Sequence, residues 1–245
     1  SVWIDYIEQG TCNLVHTEHI EKLAPGEAVQ VKVPTVPDKF PCFWLGSARV
    51  SSQEPLGIII DTTSFDVPCG SIDRGVLVTA RVEPYDDELS SSKLYGPMIF
   101  REISGWDTTV NVHNMGSLSK TWVRVKFLDA SGGSVLSLSD WVCAQGSTTF
   151  YLPISTDLGV DYVGAVTIES LEREGSAPQP ISAIVNMGKP DHPHTPLDAQ
   201  GASYNAIPQS LVENVRAIAL PFLAKGEITS SVGIRNNSHC NRLAA

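Results

Sequence analysis

The feature that most constrains this chain is that it repeats itself. Residues 105–117 read GWDTTVNVHNMGS and residues 226–238 read GEITSSVGIRNNS, so that Val110, Val112 and Asn114 fall on Val232, Ile234 and Asn236. Other matches run in the same order at a spacing of 118 to 119 residues: Trp3 in VWIDYI with Trp122 in TWVRVKF, Pro34 with Pro153, and FWLGSARVSS (43–52) with DYVGAVTIES (161–170). EPLGIIID (54–61) matches QPISAIVN (179–186) at a spacing of 125, the added residues lying in the polar loop LEREGSAP, and GPMIF (96–100) matches LPFLA (220–224). Ordered matches at one period mean that a single folding unit recurs, and a fold assigned without them would be misassigned.

Only the middle unit is complete. Alternation and turn residues predict seven strands in it, at 97–102, 107–114, 121–129, 134–143, 147–153, 161–170 and 180–187. In TWVRVKFLD, Val123, Val125 and Phe127 share one face while Arg124 and Lys126 share the other, the pattern of a half-buried antiparallel strand. ASGGSV reads as a hairpin turn in which Gly132 and Gly133 are free to take positive φ. Seven short strands in about 90 residues predict an all-β, immunoglobulin-like antiparallel sandwich, although the Cys, Trp, Cys signature of antibody domains is missing.

The chain is then expected to hold two such units, one complete and one incomplete. Residues 1–66 form the incomplete sandwich, with strands three to seven in VWIDYI, NLVHTEHI, AVQVKV, FWLGSARVSS and LGIIID. Residues 67–93 are a linker with an extra strand at 75–82, 94–189 the complete sandwich, and 190–214 a second linker. Tyr85 and Tyr204 hold similar places in the two linkers. Residues 215–245 are the first two strands of a further sandwich, and they complete the first unit of the same or a neighbouring copy.

Composition agrees with this and limits the partners. With 19 Gly and 16 Pro among 245 residues, and no window rich in Ala, Leu, Glu and Lys, the chain favours strands and turns over helices. A formal net charge of -10 disfavours nucleic acid, which needs a basic face, and makes a cation such as calcium the more natural guest. No apolar run is long enough to span a bilayer, so membrane insertion is not expected. Because it opens at Ser1, the chain reads as a processed form or an excerpt. Its five cysteines include no CxxC pair, are free to form disulfides, and by their odd number leave at least one without a partner in the chain.

The order PMIF, GWDTTVNVHNMGS, WVRVKFLDASGG, TTFYLP, YVGAVTIES and QPISAIVN, with ASYNA before the next unit, resembles the tandem β-sandwich repeats of large secreted bacterial surface proteins. The resemblance implies export, an extracellular cell-surface location and a structural or adhesive role, and it brings no catalytic residues. The last unit departs from it by carrying Ile228 where GWDTT has its Trp.

The expected function is therefore a structural protein of an extracellular filament, sheath or surface layer, assembling with copies of itself by strand complementation. Ile218, Leu220, Phe222, Val232 and Ile234 are the candidate donor residues, and Trp3, Ile4, Ile58 and Ile60 the candidate acceptor edges. An unpaired sheet edge is a template for another strand, and strand donation is an established route to assembly. The alternative is a surface adhesin or carbohydrate-binding module, which an exposed row of Trp44, Trp106, Trp122 and Trp141 would favour; core or intersheet packing is the expectation for these tryptophans.

No cofactor is expected. The weak metal candidates are Asp86, Asp87 and Glu88 in PYDDEL, for calcium, and His192 and His194 beside Asp191 in KPDHPHTPLD. His16 and His19 lie on one predicted strand an odd number of residues apart, so they point to opposite faces. No GxSxG, HExxH or Gly-rich phosphate loop occurs, and an enzyme is not expected.

Overall fold

The computed structural model describes residues 1–31, 46–54, 60–62, 78–80, 90–117, 119–152, 157–189 and 200–214. The fold is all-β, with several antiparallel sheets. The first region (unit 1) contains β1 (Val2–Glu8), β2 (Leu14–Ile20), β3 (Gly46–Ser52), β4 (Ile60–Thr62) and β5 (Val78–Ala80). The second (unit 2) contains β6 (Lys93–Arg101), β7 (Asp107–Asn114), β8 (Thr121–Leu128), β9 (Ser134–Val142), β10 (Ser147–Tyr151), β11 (Tyr162–Leu171) and β12 (Ile181–Lys189). It closes with β13 (Gln200–Asn205), β14 (Ile207–Pro208) and a short helix, α1 (Gln209–Asn214).

Unit 2 is a two-layer sandwich. One sheet has the order β10-β7-β12-β13 and the other β14-β6-β11-β8-β9. In β8 the buried and half-buried residues alternate strictly, with Val123, Val125 and Phe127 inward. In β7 Val110, Val112 and Asn114 face them. The shared core includes Leu94, Ile99, Val110, Val112, Val125, Phe127, Leu152, Ile168, Ile181 and Val185. At about 25 cal/mol per Å2 of buried apolar area, burying residues of this size is the main stabilising contribution.

Turn chemistry sets the register of the β8–β9 hairpin. Asp129 Oδ1 accepts hydrogen bonds from the Ser131 amide (2.8 Å), the Ser131 hydroxyl (2.6 Å) and the Gly133 amide (2.9 Å). Gly132 takes φ +85 at the tip, a conformation that only glycine adopts without strain.

Asn114, fully buried, ends β7 and stitches three segments together. Its Nδ2 donates to the carbonyls of Ser119 (2.9 Å) and Val142 (3.3 Å), and its Oδ1 accepts from the Gly116 amide (2.9 Å). Arg101, also buried, closes the other end by donating to the carbonyls of Leu152 (3.4 Å) and Leu158.

Strands β7 to β11 hold the places of B, C, C′, E and F in an immunoglobulin sandwich, but the outer strands do not. In that fold the first strand lies beside B and the last beside F. Here β6, the first, pairs with β11, and β12, the last of the seven, pairs with β7. The sheet order therefore shows a two-sheet antiparallel sandwich whose end strands are placed otherwise than in an immunoglobulin domain.

Unit 1 repeats part of this. Its sheet has the order β2-β1-β3, as β9-β8-β11 has in unit 2, and β4 pairs with β5 as β12 pairs with β13. A small cluster of Val2, Ile4 and Tyr6, with Ile20, Leu23, Val31 and Val50 against it, covers the inner face of the three-stranded sheet.

Two expectations are corrected and a third is met in its described part. Residues 190–214 are not simply a linker: β13 extends the four-stranded sheet, β14 pairs with β6, and Tyr204 reaches across the core edge. The Tyr204 hydroxyl donates to the Met98 carbonyl (2.6 Å) and accepts from the Met98 amide (3.2 Å), tying the segment to β6. AVQVKV is not a strand over 28–31, the part of it that is described. Its counterpart β10 pairs only with β7, and among the described residues no counterpart of β7 lies beside 28–31 to accept a ladder. Of the extra strand expected at 75–82, the described part, Val78–Ala80, is a strand, β5.

Candidate assembly site

Unit 1 is fastened to unit 2 at one end of its sheet. The turn between β1 and β2 puts Cys12 at φ 64 and directs it to Cys143, with which it forms a disulfide. Cys143 begins the tight turn to Gly146, whose amide donates back to the Cys143 carbonyl (3.0 Å). A Cβ at position 146 would stand 2.8 Å from that of Cys143, so the turn needs glycine. Beside the disulfide, Gln9 Nε2 donates to Thr148 Oγ1 (3.1 Å), and the hydroxyl of Thr148 donates to Asp140 Oδ2 (3.1 Å).

A charged pair extends this junction. Arg49 on β3 makes an ion pair with Asp5 on β1 and donates from Nη1 to Gln145 Oε1 of unit 2. Asp5 also accepts from the Thr17 hydroxyl (2.7 Å) on β2. The Thr17 hydrogen bond and then Arg49 hold the Asp5 carboxyl below the usual carboxylate range.

The cross-strand pairs place the two units in register. Trp3 lies opposite His19 and Trp122 opposite Trp141, the first pair stacked at 3.7 Å and the second edge-on at 5.3 Å. Two residues along, Asp5 faces Arg49 and Arg124 faces Glu169, the same cross-strand ion pair with its signs exchanged. Arg49 therefore corresponds to Glu169, two residues beyond the Thr167 that the match of FWLGSARVSS with DYVGAVTIES assigns to it. A shift of two residues keeps every side chain on its own face, so alternation cannot detect it.

The expected acceptor residues Trp3 and Ile4 do not lie on a sheet edge. Trp3 and Ile4 lie on β1, which is central and paired on both sides. The edge that unit 2 fills with β6 is that of β11, whose counterpart is β3, and among the described residues no strand pairs with β3 on the side away from β1. Ile60 begins β4 and pairs with Ala80, so that strand has a partner on one side. Ile58 and the donor residues Ile218, Leu220, Phe222, Val232 and Ile234 lie outside the described residues, as do Asp86, Asp87, Glu88, His192 and His194. Among the described residues no three His, Cys, Asp or Glu side chains are grouped to hold a metal, and no helix is long and apolar enough to cross a membrane. His16 and His19 stack on Tyr6 and Trp3, which lie on opposite faces of β1.

The expectation of core or intersheet packing is corrected for Trp122 and Trp141. Trp122 and Trp141 are half-buried on the outer face of the five-stranded sheet; Trp106 is half-buried too, and Trp44 lies outside the described residues. Trp122 shares the parity of Arg124 and Lys126, so the alternation that sends Val123 inward sends Trp122 outward. Arg173 lies over the Trp122 ring at 3.6 Å and Lys120 over the Trp141 ring at 4.2 Å. Next to them Glu169 meets Arg124 (2.7 Å), Lys93 (3.3 Å) and Lys126 (3.5 Å). Burial opposes its ionisation, but Arg124 and Lys93, with Lys126, outweigh that and hold its carboxyl below the usual range.

No protein-family model and no curated protein matches the chain. Among solved structures, the crystal structure of Thermotoga maritima 1070 is similar at 10% identity, over 47% of this chain and 92% of that one, with a TM-score of 0.33. A likeness that weak bears on neither family nor function.

Proposed function

We propose that the chain is a structural protein of an extracellular filament, sheath or surface layer, assembling with copies of itself through its β-sandwich repeats. The observation that carries this is the edge of β3: unit 2 covers the equivalent edge with β6, while among the described residues β3 has no strand there. Exposed edges recruit strands. The segment 217–224, whose LPFLA matches the GPMIF of β6, has the sequence of the strand that fits, from the same or a neighbouring copy. The disulfide between the units supports an exported protein, since such bonds persist in oxidising compartments. A surface adhesin or carbohydrate-binding module is the second reading, favoured by the outward Trp122 and Trp141.

A chain ending at residue 214, with a synthetic peptide of residues 215–238 added in trans, tests the proposal. Saturable binding of the peptide, together with loss of assembly in the shortened chain when seen by electron microscopy, is expected. Unimpaired assembly without the segment, and no peptide binding, would refute strand supply.

A further inference from the structure

We propose that the outer face of the five-stranded sheet binds a linear polysaccharide bearing carboxylates. The inference does not depend on strand supply and succeeds or fails separately from it.

On a chain of net charge -10, this face gathers cations. Lys93, Arg124 and Lys126 surround the single carboxylate of Glu169, and their side chains remain 28%, 35% and 34% exposed. Arg173, 43% exposed, and Lys120 add two more at the tryptophan end, where Glu174 pairs with Arg173. The excess is local, and at physiological salt, charge more than about 8 Å away is largely screened, so the acidic remainder of the chain does not cancel it.

The geometry suits an extended sugar chain. Strands β9, β8 and β11 lie side by side, and at about 4.8 Å per strand they make a shelf roughly 10 Å across; Tyr95 and Thr167 on the same face are buried and close it toward β6. The two indoles hold Arg173 and Lys120 over their faces, fixing the cations for carboxylates at one end of the shelf. Ser137 and Ser139, exposed on β9 opposite Lys126 and Arg124, offer hydroxyls for the sugar's own. A bare charged cluster would attract any polyanion; the Ser137 and Ser139 hydroxyls in line with the cations favour a carboxylated sugar.

Full-length protein is titrated with polygalacturonate, with its fully methyl-esterified form and with duplex DNA, with calorimetric readout at low and physiological salt. Binding to polygalacturonate that weakens with salt, with little binding to the ester or DNA, is expected. Arg173→Gln combined with Lys120→Gln should weaken it roughly tenfold with unchanged melting. Arg124→Gln with Lys126→Gln gives a second reading if its circular dichroism shows a folded chain. Equal affinity for the ester or for DNA, binding unaffected in a folded variant, or only salt-sensitive association of copies with no polysaccharide binding would each overturn the proposal.

Discussion

Units 1 and 2 hold the same three-strand arrangement, β2-β1-β3 and β9-β8-β11, yet among the described residues only the second has a strand beyond the third, β6 against β11. In unit 2 the hairpin and third strand lie across from a four-stranded sheet, and the core between them is continuous. Among the described residues of unit 1 the same arrangement rests on a cluster of three buried apolar residues and a few half-buried ones. The difference does not arise in the shared strands, whose aromatic and ionic cross-strand pairs correspond position by position. It arises in the strands beside them: β6 and β7 supply a sheet edge and an opposing layer to unit 2, and the described part of unit 1 contains no counterpart of either. A β-hairpin motif can thus keep its pairing chemistry while its stability depends on neighbours.

The largest expected contrast is in the cores. Phe127→Ala should cost about 3–5 kcal/mol in denaturant unfolding of unit 2, because the cavity lies between two closed layers. Ile4→Ala should cost less, below about 2 kcal/mol, because its shallower surroundings can close around the loss. Equal costs would show that unit 1 has a core as closed as that of unit 2.

Next in size is the disulfide. Replacing Cys12 and Cys143 by Ser opens a link across a sequence separation of 131 residues and should destabilise the attachment of unit 1 by about 2–5 kcal/mol. Differential scanning calorimetry should show an earlier transition for unit 1 and an unshifted one for unit 2. A single undivided transition, shifted as a whole, would mean that the two units unfold together.

Most of unit 2 was legible in the sequence because each strand there packs one face against a core and alternates accordingly; all seven expected strands form, with ends moved by a few residues. What was not legible depends on neighbours. The register of β3 escaped because two residues of slippage leave the faces unchanged. The failure of 28–31 to form a strand escaped because a strand requires a partner as well as a pattern. The pairing of Cys12 with Cys143 could not be read from spacing, since it depends on how the units meet. The outward placement of Trp122 was readable: its parity with Arg124 and Lys126 showed it, and the usual preference of tryptophan for cores concealed it.

The smallest expected effect concerns the exchanged ion pair. Asp5→Arg with Arg49→Glu would give unit 1 the charge order of unit 2, and stability should change by less than about 1 kcal/mol, because the exchange keeps a cation and an anion paired across the strands. Asp5→Arg alone sets two cations opposite each other across the strands and should cost more than the double exchange. A larger loss from the exchange would mean that the Arg49 contact with Gln145 matters more to the junction than the pair does.

The central claim, that β3 recruits a strand as β11 does, is tested most directly by hydrogen exchange at the alternate amides of Gly46–Ser52 that point away from β1. The account predicts that in the assembled full-length protein these amides exchange as slowly as the amides of β11 that face β6, and become fast when residues 215–245 are removed. Rapid exchange at these amides in the assembled protein would contradict it.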